Sequence, residues 1–254
     1  MTRLLHARTI DLLKGAESSG AFREQQRWVA AALATSVVLT VGAGILVPAA
    51  FGFDLRAIAH PGSLVDKGLG TAQLLRWGAL LDMVSYLPLA PVVVYVHLRL
   101  RNRNPALVTL MTSGGLAYVL IGSIAGVLLA SVGPPLIEGY AAASTAGREA
   151  ARVALESLGN STAVGLWGIL ELIPLGAWFI GIGWLVWNEW RRFAALSVLV
   201  GLALLAASLR TALTGRSLVN VEGPLDLLIL GGTGLIFAWE IWLAARLWWF
   251  RPTG

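Results

Sequence analysis

The sequence predicts an all-α integral membrane protein: a six-helix bundle with both termini in the cytoplasm and an amphipathic helix in a long outer loop. Three observations predict this fold. Of the 254 residues, 57% are hydrophobic and only 13% are charged, whereas soluble domains have about 45–50% apolar and about 25% charged residues. The mean hydropathy is +0.74. The apolar residues also fall into six long runs, and the alternation typical of a membrane β-barrel is absent from the sequence.

Each run is long enough to cross a bilayer core, which takes about 20 apolar residues in a helix. Helices are expected because they satisfy the backbone hydrogen bonds internally in lipid. The chain therefore divides into a basic N-terminal segment, residues 1–27, and a transmembrane domain, residues 28–250, with outer loops at about 52–73 and 133–162. The predicted spans are 29–51, 74–98, 105–132, 163–187, 193–213 and 224–248.

Basic residues predict the orientation of the bundle. Twelve of the 19 lysines and arginines lie in the N-terminal segment, in the short loops near 99–103 and 191–192, and at the C-terminus. The other seven lie on the opposite side. Cytoplasmic loops carry an excess of lysine and arginine, so both termini are expected in the cytoplasm. Tryptophans at the same helix ends indicate an interfacial aromatic belt.

The second outer loop contains an amphipathic pattern. Apolar residues recur at i, i+3, i+4 and i+7, which predicts a short helix on the outer surface of the bundle. Arg152 is expected to pair with Glu149 and Glu156 along this helix. The residues that carry the pattern are Ala151, Ala154, Leu155 and Leu158.

Two acidic residues lie inside predicted spans. Asp82 and Glu171 each fall eight residues into a descending helix, so both are expected roughly 12 Å below its outer end. Ser85 and Tyr86 share the helix face of Asp82. Charged groups within a membrane usually face the bundle interior. These four residues are predicted either to line an outward-facing polar pocket for a cation or small amphiphile, or to belong to a buried salt-bridge network.

Other polar residues within the spans predict further contacts. Arg76, Arg210 and Asp226 lie at shallower outer depths and are expected to form an ion-pair network, with Arg210–Asp226 as its strongest pair because one short loop joins the two helices. Glu240 lies nearer the cytoplasmic side, where a polar contact with His97 is expected.

Small residues predict where helices approach closely. Gly122 and Gly126 form a GxxxG pattern in the third span. Such a surface serves either packing within the bundle or self-association. The lipid bilayer is the expected partner, with partner membrane subunits as an open alternative; nucleic acid is not expected, because the basic excess is explained by topology.

Enzyme signatures are missing from the sequence. The chain has no cysteine, no HExxH and no Gly-x-Ser-x-Gly motif. No catalytic residue, metal site or cofactor is therefore assigned. The predicted function is a membrane protein with an outward polar pocket; the alternatives are a structural or accessory subunit of a larger assembly and, third, an intramembrane enzyme.

Three stretches resemble a bacterial membrane family catalogued as domain of unknown function 4386. They are residues 75–82 with Arg76, Gly78 and Asp82, residues 95–99, and residues 104–107. The similarity, which includes the spacing of the spans, extends from about 30 to 248. The chain departs from the family in its longer basic N-terminus and its many tryptophans. The resemblance implies an integral inner-membrane protein and implies no catalytic residues.

Overall fold

The computed structural model describes residues 20–54, 57–58, 60–217 and 223–249, and these contain no β-strand. The predicted segment 1–27 therefore lies largely outside the described residues, and only its end belongs to the first helix. The elements are α1 (Gly20–Ala50), a 3₁₀ helix (Pro61–Lys67), α2 (Leu69–Tyr86), α3 (Leu89–Leu100), α4 (Pro105–Tyr140), α5 (Thr145–Asn160), a π-helical segment (Ser161–Leu170), α6 (Leu172–Val186), α7 (Arg191–Thr214) and α8 (Pro224–Trp249).

Six stretches among the described residues are long and apolar enough to cross a membrane. The second combines α2 and α3, and the fourth combines α5, the π-helical segment and α6. The prediction of an all-α bundle with six spans is therefore confirmed. The orientation of the termini stays a prediction.

The spans form a closed ring. Each of α1, α2, α4, α6, α7 and α8 packs against the next one in that order, and α8 packs back against α1. The helix α3 extends the second span and contacts α1 and α4. Side chains on the inner faces of these helices can therefore meet in the centre of the bundle.

Local sequence signals explain several helix ends. The side chain of Asn104 caps α4 by accepting a hydrogen bond from the amide of Leu107 at 3.1 Å, and Pro105 occupies the first helical position. The second span is interrupted at Leu87 and Pro88, because proline cannot donate the amide that an uninterrupted helix requires. Gly215 ends α7 with a left-handed φ of 64°.

The segment 133–162, which the sequence predicted to be an outer loop, is largely helical. It is helical except for residues 141–144, because α4 continues to Tyr140 and α5 runs directly into the fourth span. Similarly, the expected loop 52–73 contains the 3₁₀ helix and the start of α2. Hydropathy marked only the apolar part of each helix, and the polar extensions were therefore assigned to loops.

The helix α5 has the predicted amphipathic character and covers one end of the bundle, which we call the α5 end. Leu155 is fully buried. Arg152 interacts electrostatically with Glu149, as predicted, but its hydrogen bond goes to Asp66 in the 3₁₀ helix, at 2.8 Å. Glu156 accepts a hydrogen bond from the amide of Gly62 at 2.7 Å. These tertiary contacts join α5 to the 3₁₀ helix.

Candidate functional site

The two acidic side chains in the spans come from different parts of the ring. Asp82 lies in α2, six residues before Pro88 at the break. Glu171 lies between the π-helical segment and α6, and its amide bonds the carbonyl of Leu166, five residues earlier, at 2.9 Å. A π-type turn widens the helix locally, and such turns are common at functional sites.

Tyr86 connects the two acidic helices. Its hydroxyl lies 3.1 Å from Oε1 and 3.3 Å from Oε2 of Glu171, within the bundle interior. The ring of Tyr86 also contacts the ring of Tyr118 edge to face, with the centroids 5.2 Å apart. Gly122 makes this arrangement possible, because a β-carbon at that position would overlap the Tyr86 ring. The glycine is therefore needed for the site geometry.

Asp82 completes a cluster that we call the acidic core: Asp82, Tyr86, Tyr118 and Glu171. The Oδ2 atom of Asp82 is buried and has no hydrogen-bond partner among the described residues. The carboxyl groups of Asp82 and Glu171 interact electrostatically with each other and with both tyrosines. The fold therefore brings together two acidic residues that lie 89 positions apart in the sequence.

Ser85, next to this cluster, forms hydrogen bonds through its hydroxyl and through its backbone carbonyl. Its hydroxyl donates to the carbonyl of Asp82 at 2.6 Å. Its own carbonyl accepts a hydrogen bond from the Ser36 hydroxyl in α1 at 2.8 Å. Ser85 thus positions α2 against α1, and its hydroxyl bonds to the backbone of its own helix.

Basic residues do not compensate the acidic core in the part of the chain that the structure describes. The ion pairs there join residues near the helix ends, and none of them includes Asp82 or Glu171. The described residues therefore do not form a salt-bridge network centred on these two acids. The pairs are Arg76–Glu138, Arg103–Glu189, Arg152–Asp66 and Arg210–Asp226, and also His60–Glu156 when the imidazole is protonated.

The structure brings together two of the three residues expected in the outer network. Arg210 donates to Asp226 at 2.7 Å, with side-chain exposures of 12% and 17%. Arg76 does not join them: it pairs with Glu138 of α4 at 3.0 Å. The reason is the ring order, because α2 packs directly against α4, and Glu138 lies on a part of α4 that the sequence assigned to a loop.

Glu240 and His97 do not form the expected contact. The Nδ1 atom of His97 lies 2.9 Å from the hydroxyl of Thr112. Glu240 is buried and lines a cavity of about 20 Å³ together with Tyr118 and Trp178, a volume sufficient for one water molecule. The indole nitrogen of Trp178 is buried without a partner among the described residues. Glu240 is therefore a further buried acidic residue next to Tyr118.

The GxxxG pattern is used within the chain. Gly126 lies against α2, where an added β-carbon would come within 3.0 Å of the Ala79 carbonyl and 2.9 Å of the Met83 β-carbon. Gly122 lies against Tyr86 of the same helix. Of the two roles that the sequence left open, the structure therefore describes packing between α4 and α2.

Sequence reasoning missed Tyr118, Trp178 and the π-helical segment. Tyr118 is neutral and lies in an apolar run, so charge could not reveal it, although it precedes Gly122 by one helical turn. Pro174 was a visible signal near Glu171, but the sequence did not indicate a wider turn before it. Within the described residues, no group of three His, Cys, Asp or Glu side chains could hold a metal ion.

The fold and the acidic core define a polytopic helical membrane protein with uncompensated acidic groups between its spans. The family model described as domain of unknown function (DUF4386) matches residues 30–249. The chain therefore belongs to this family, as its resemblance in three short stretches predicted. No curated protein and no solved structure matches the chain.

Proposed function

We propose that this membrane protein binds a small monovalent cation, a proton or an alkali ion, at Asp82 and Glu171. One observation carries the proposal: two interacting carboxyl groups lie in the bundle with no basic partner among the described residues, and a buried Asp82 oxygen has no hydrogen bond. A cation from solution supplies the charge that the chain does not.

The energetic argument follows from the surroundings. An ionised carboxylate away from water costs several kcal/mol unless a positive charge or hydrogen bonds compensate it. Tyr86 provides one hydroxyl donor to Glu171, which leaves the negative charge of the pair uncompensated. A bound cation, or a proton on one of the acids, removes both the desolvation cost and the repulsion between the two groups.

The composition of the acidic core favours a small, singly charged ion. It offers two carboxyl groups and two tyrosine hydroxyls, which are hard oxygen ligands. It lacks the third acidic or imidazole ligand of a typical divalent site. A proton or an alkali ion therefore suits this donor set better than a divalent metal ion or a transition metal.

The backbone next to Glu171 also supports a binding role. The π-type turn precedes Glu171, and Pro174 follows it within one turn. Proline lacks the amide that would bond the carbonyl four residues earlier, so the helical hydrogen-bond pattern is interrupted on both sides of the acid. Interrupted helices of this kind accompany ion and substrate sites in membrane transporters.

Thermal unfolding of the purified protein in neutral detergent tests this proposal. Sodium or potassium chloride replaces choline chloride at constant ionic strength, and a separate series lowers the pH. We expect sodium, potassium or the lower pH to raise the melting temperature, because a ligand that binds only the folded state stabilises it. The gain is about 2.7 kcal/mol when the ligand is present at 100 times its dissociation constant.

The variants Asp82→Asn and Glu171→Gln should lose this gain, and the control Glu149→Gln on the exposed face of α5 should keep it. Circular dichroism verifies the helix content of each variant. An equal gain in all four proteins, or no gain over choline with sodium, potassium or acid in the wild type, contradicts the proposal. If one acidic variant does not fold, the other decides.

A structural role for the acidic core is the second candidate, and the Tyr86–Glu171 hydrogen bond favours it because it ties α2 to the fourth span. In that case the carboxyl groups fix the relative position of the helices and no ion is taken up. The same experiment separates the two functions: a structural role predicts lower stability in the variants and no difference between cations in the wild type.

The proposal includes a bacterial cytoplasmic membrane, both termini in the cytoplasm and the α5 end outside. The distribution of the arginines supports this orientation. With it, the acidic core lies closer to the outer surface, and a cation reaches it from that side.

A further inference from the structure

A basic cleft lies at the end of the bundle opposite α5, away from the acidic core. It has a volume of about 290 Å³ and lies between the start of α7 and the last turn of α8. Three arginines and two tryptophans dominate its lining: Arg191, Arg192, Arg246, Trp190 and Trp242. We call it the arginine cleft. We propose that it binds the phosphate-bearing headgroup of an anionic phospholipid.

The charge of the cleft favours an anion. Its acidic lining residue, Glu189, is bonded by Arg103 from the neighbouring turn at 2.6 Å. Arg191 and Arg192 are exposed. Guanidinium groups bind phosphate oxygens through paired hydrogen bonds, which is the geometry that a phosphodiester offers.

Aromatic rings orient the third arginine. The guanidinium carbon of Arg246 lies 4.4 Å from the centre of the Trp190 ring. Phe193 contacts Trp190 and Trp242 edge to face, with centroids 5.8 Å and 6.0 Å apart. The attraction between a cation and an aromatic face holds the guanidinium group next to the ring. The cleft is thus a charged site with a rigid aromatic wall.

The position of the cleft points to a lipid rather than to a soluble phosphate. Two tryptophans near the cleft, Trp187 in the turn before α7 and Trp248 at the end of α8, are 45% and 52% exposed. Exposed tryptophans at helix ends mark the depth of the lipid headgroups. The volume is close to the lower limit of about 300 Å³ for small-molecule sites, which suits one headgroup whose acyl chains remain in the bilayer.

Native mass spectrometry and thermal unfolding test this inference. Protein delipidated in neutral detergent is titrated with phosphatidylglycerol, with zwitterionic phosphatidylcholine, and with inorganic phosphate. We expect phosphatidylglycerol alone to remain bound and to raise the melting temperature. The double variant Arg191→Gln/Arg192→Gln should bind it about 30-fold more weakly, since each basic group near a membrane surface contributes on the order of fivefold in affinity.

The matched control is Arg99→Gln/Arg101→Gln, which removes the same charge at the same end of the bundle but outside the cleft. It should retain nearly wild-type affinity. The variant Arg246→Lys keeps the charge but not the forked geometry, and should lose part of the affinity. Equal binding of the two lipids, equal losses in both double variants, or full stabilisation by inorganic phosphate would overturn the inference. None of these outcomes depends on the cation site.

Discussion

The hydroxyl of Tyr86 lies within hydrogen-bond distance of both carboxylate oxygens of Glu171, at 3.1 and 3.3 Å, inside the bundle. This contact joins the second span to the fourth across the inner face of α4. Because Asp82 lies one turn before Tyr86 on the same helix, the contact also brings the two acids together. The acidic core therefore depends on a tyrosine that bears no charge at neutral pH.

The variant Tyr86→Phe should be less stable than the wild type. It keeps the ring and removes the hydrogen bond, which leaves the buried Glu171 carboxyl without its donor. The expected decrease in the free energy of unfolding is about 1–3 kcal/mol, measured by denaturant unfolding in detergent. The control Tyr140→Phe removes an exposed hydrogen bond to Asp66 and should change stability by about 0.5 kcal/mol or less. Equal effects would argue against a buried Tyr86–Glu171 bond.

The variant Gly122→Ala should also destabilise the bundle. Its new methyl group would overlap the Tyr86 ring, and forcing extra volume into a packed interior costs about 1–3 kcal/mol. Gly44→Ala in α1 is the control, because an added β-carbon there meets no atom within 4 Å. Thermal unfolding should separate the two variants. Equal stability would place Tyr86 away from Gly122.

A double-mutant cycle on Arg210→Gln and Asp226→Asn should reveal coupling. The two side chains are largely buried, at 12% and 17% exposure, so the coupling free energy is expected at about 0.5–3 kcal/mol. The same cycle on Arg152 and Asp66, which are 45% and 50% exposed, should give less than about 1 kcal/mol. The reverse ranking would contradict the burial of the Arg210–Asp226 pair.

Alkaline phosphatase fusions test the orientation. This enzyme is active only when it is exported, so a fusion after Ser144 at the α5 end should be active. A fusion after Arg101, at the opposite end, should be inactive because the arginine-rich turn is expected in the cytoplasm. Active fusions after Arg101 with inactive ones after Ser144 would invert the proposed topology.

The sequence was sufficient for the six spans, because hydropathy reflects the solvent that each helix meets. The common depth of Asp82 and Glu171, which follows from a constant helical rise, stays a prediction. The sequence failed for Arg76, whose partner Glu138 lies on a helix extension that carries no hydropathy signal. It failed for Glu240 and His97 because rotation of a helix about its axis decides which side chains meet. The π-helical segment was not predicted, because apolar periodicity does not distinguish a π-type turn from an α-helical one.

Infrared difference spectroscopy of the protein reconstituted in lipid tests the cation site most directly. Exchange of choline for sodium or potassium, or a shift to lower pH, should change the carbonyl stretching band of protonated carboxyl groups. We expect this change in the wild type and in Glu149→Gln, and its loss in Asp82→Asn or Glu171→Gln. A carboxyl signal that is unchanged in both acidic variants, or no signal with any of these cations in the wild type, would contradict the account.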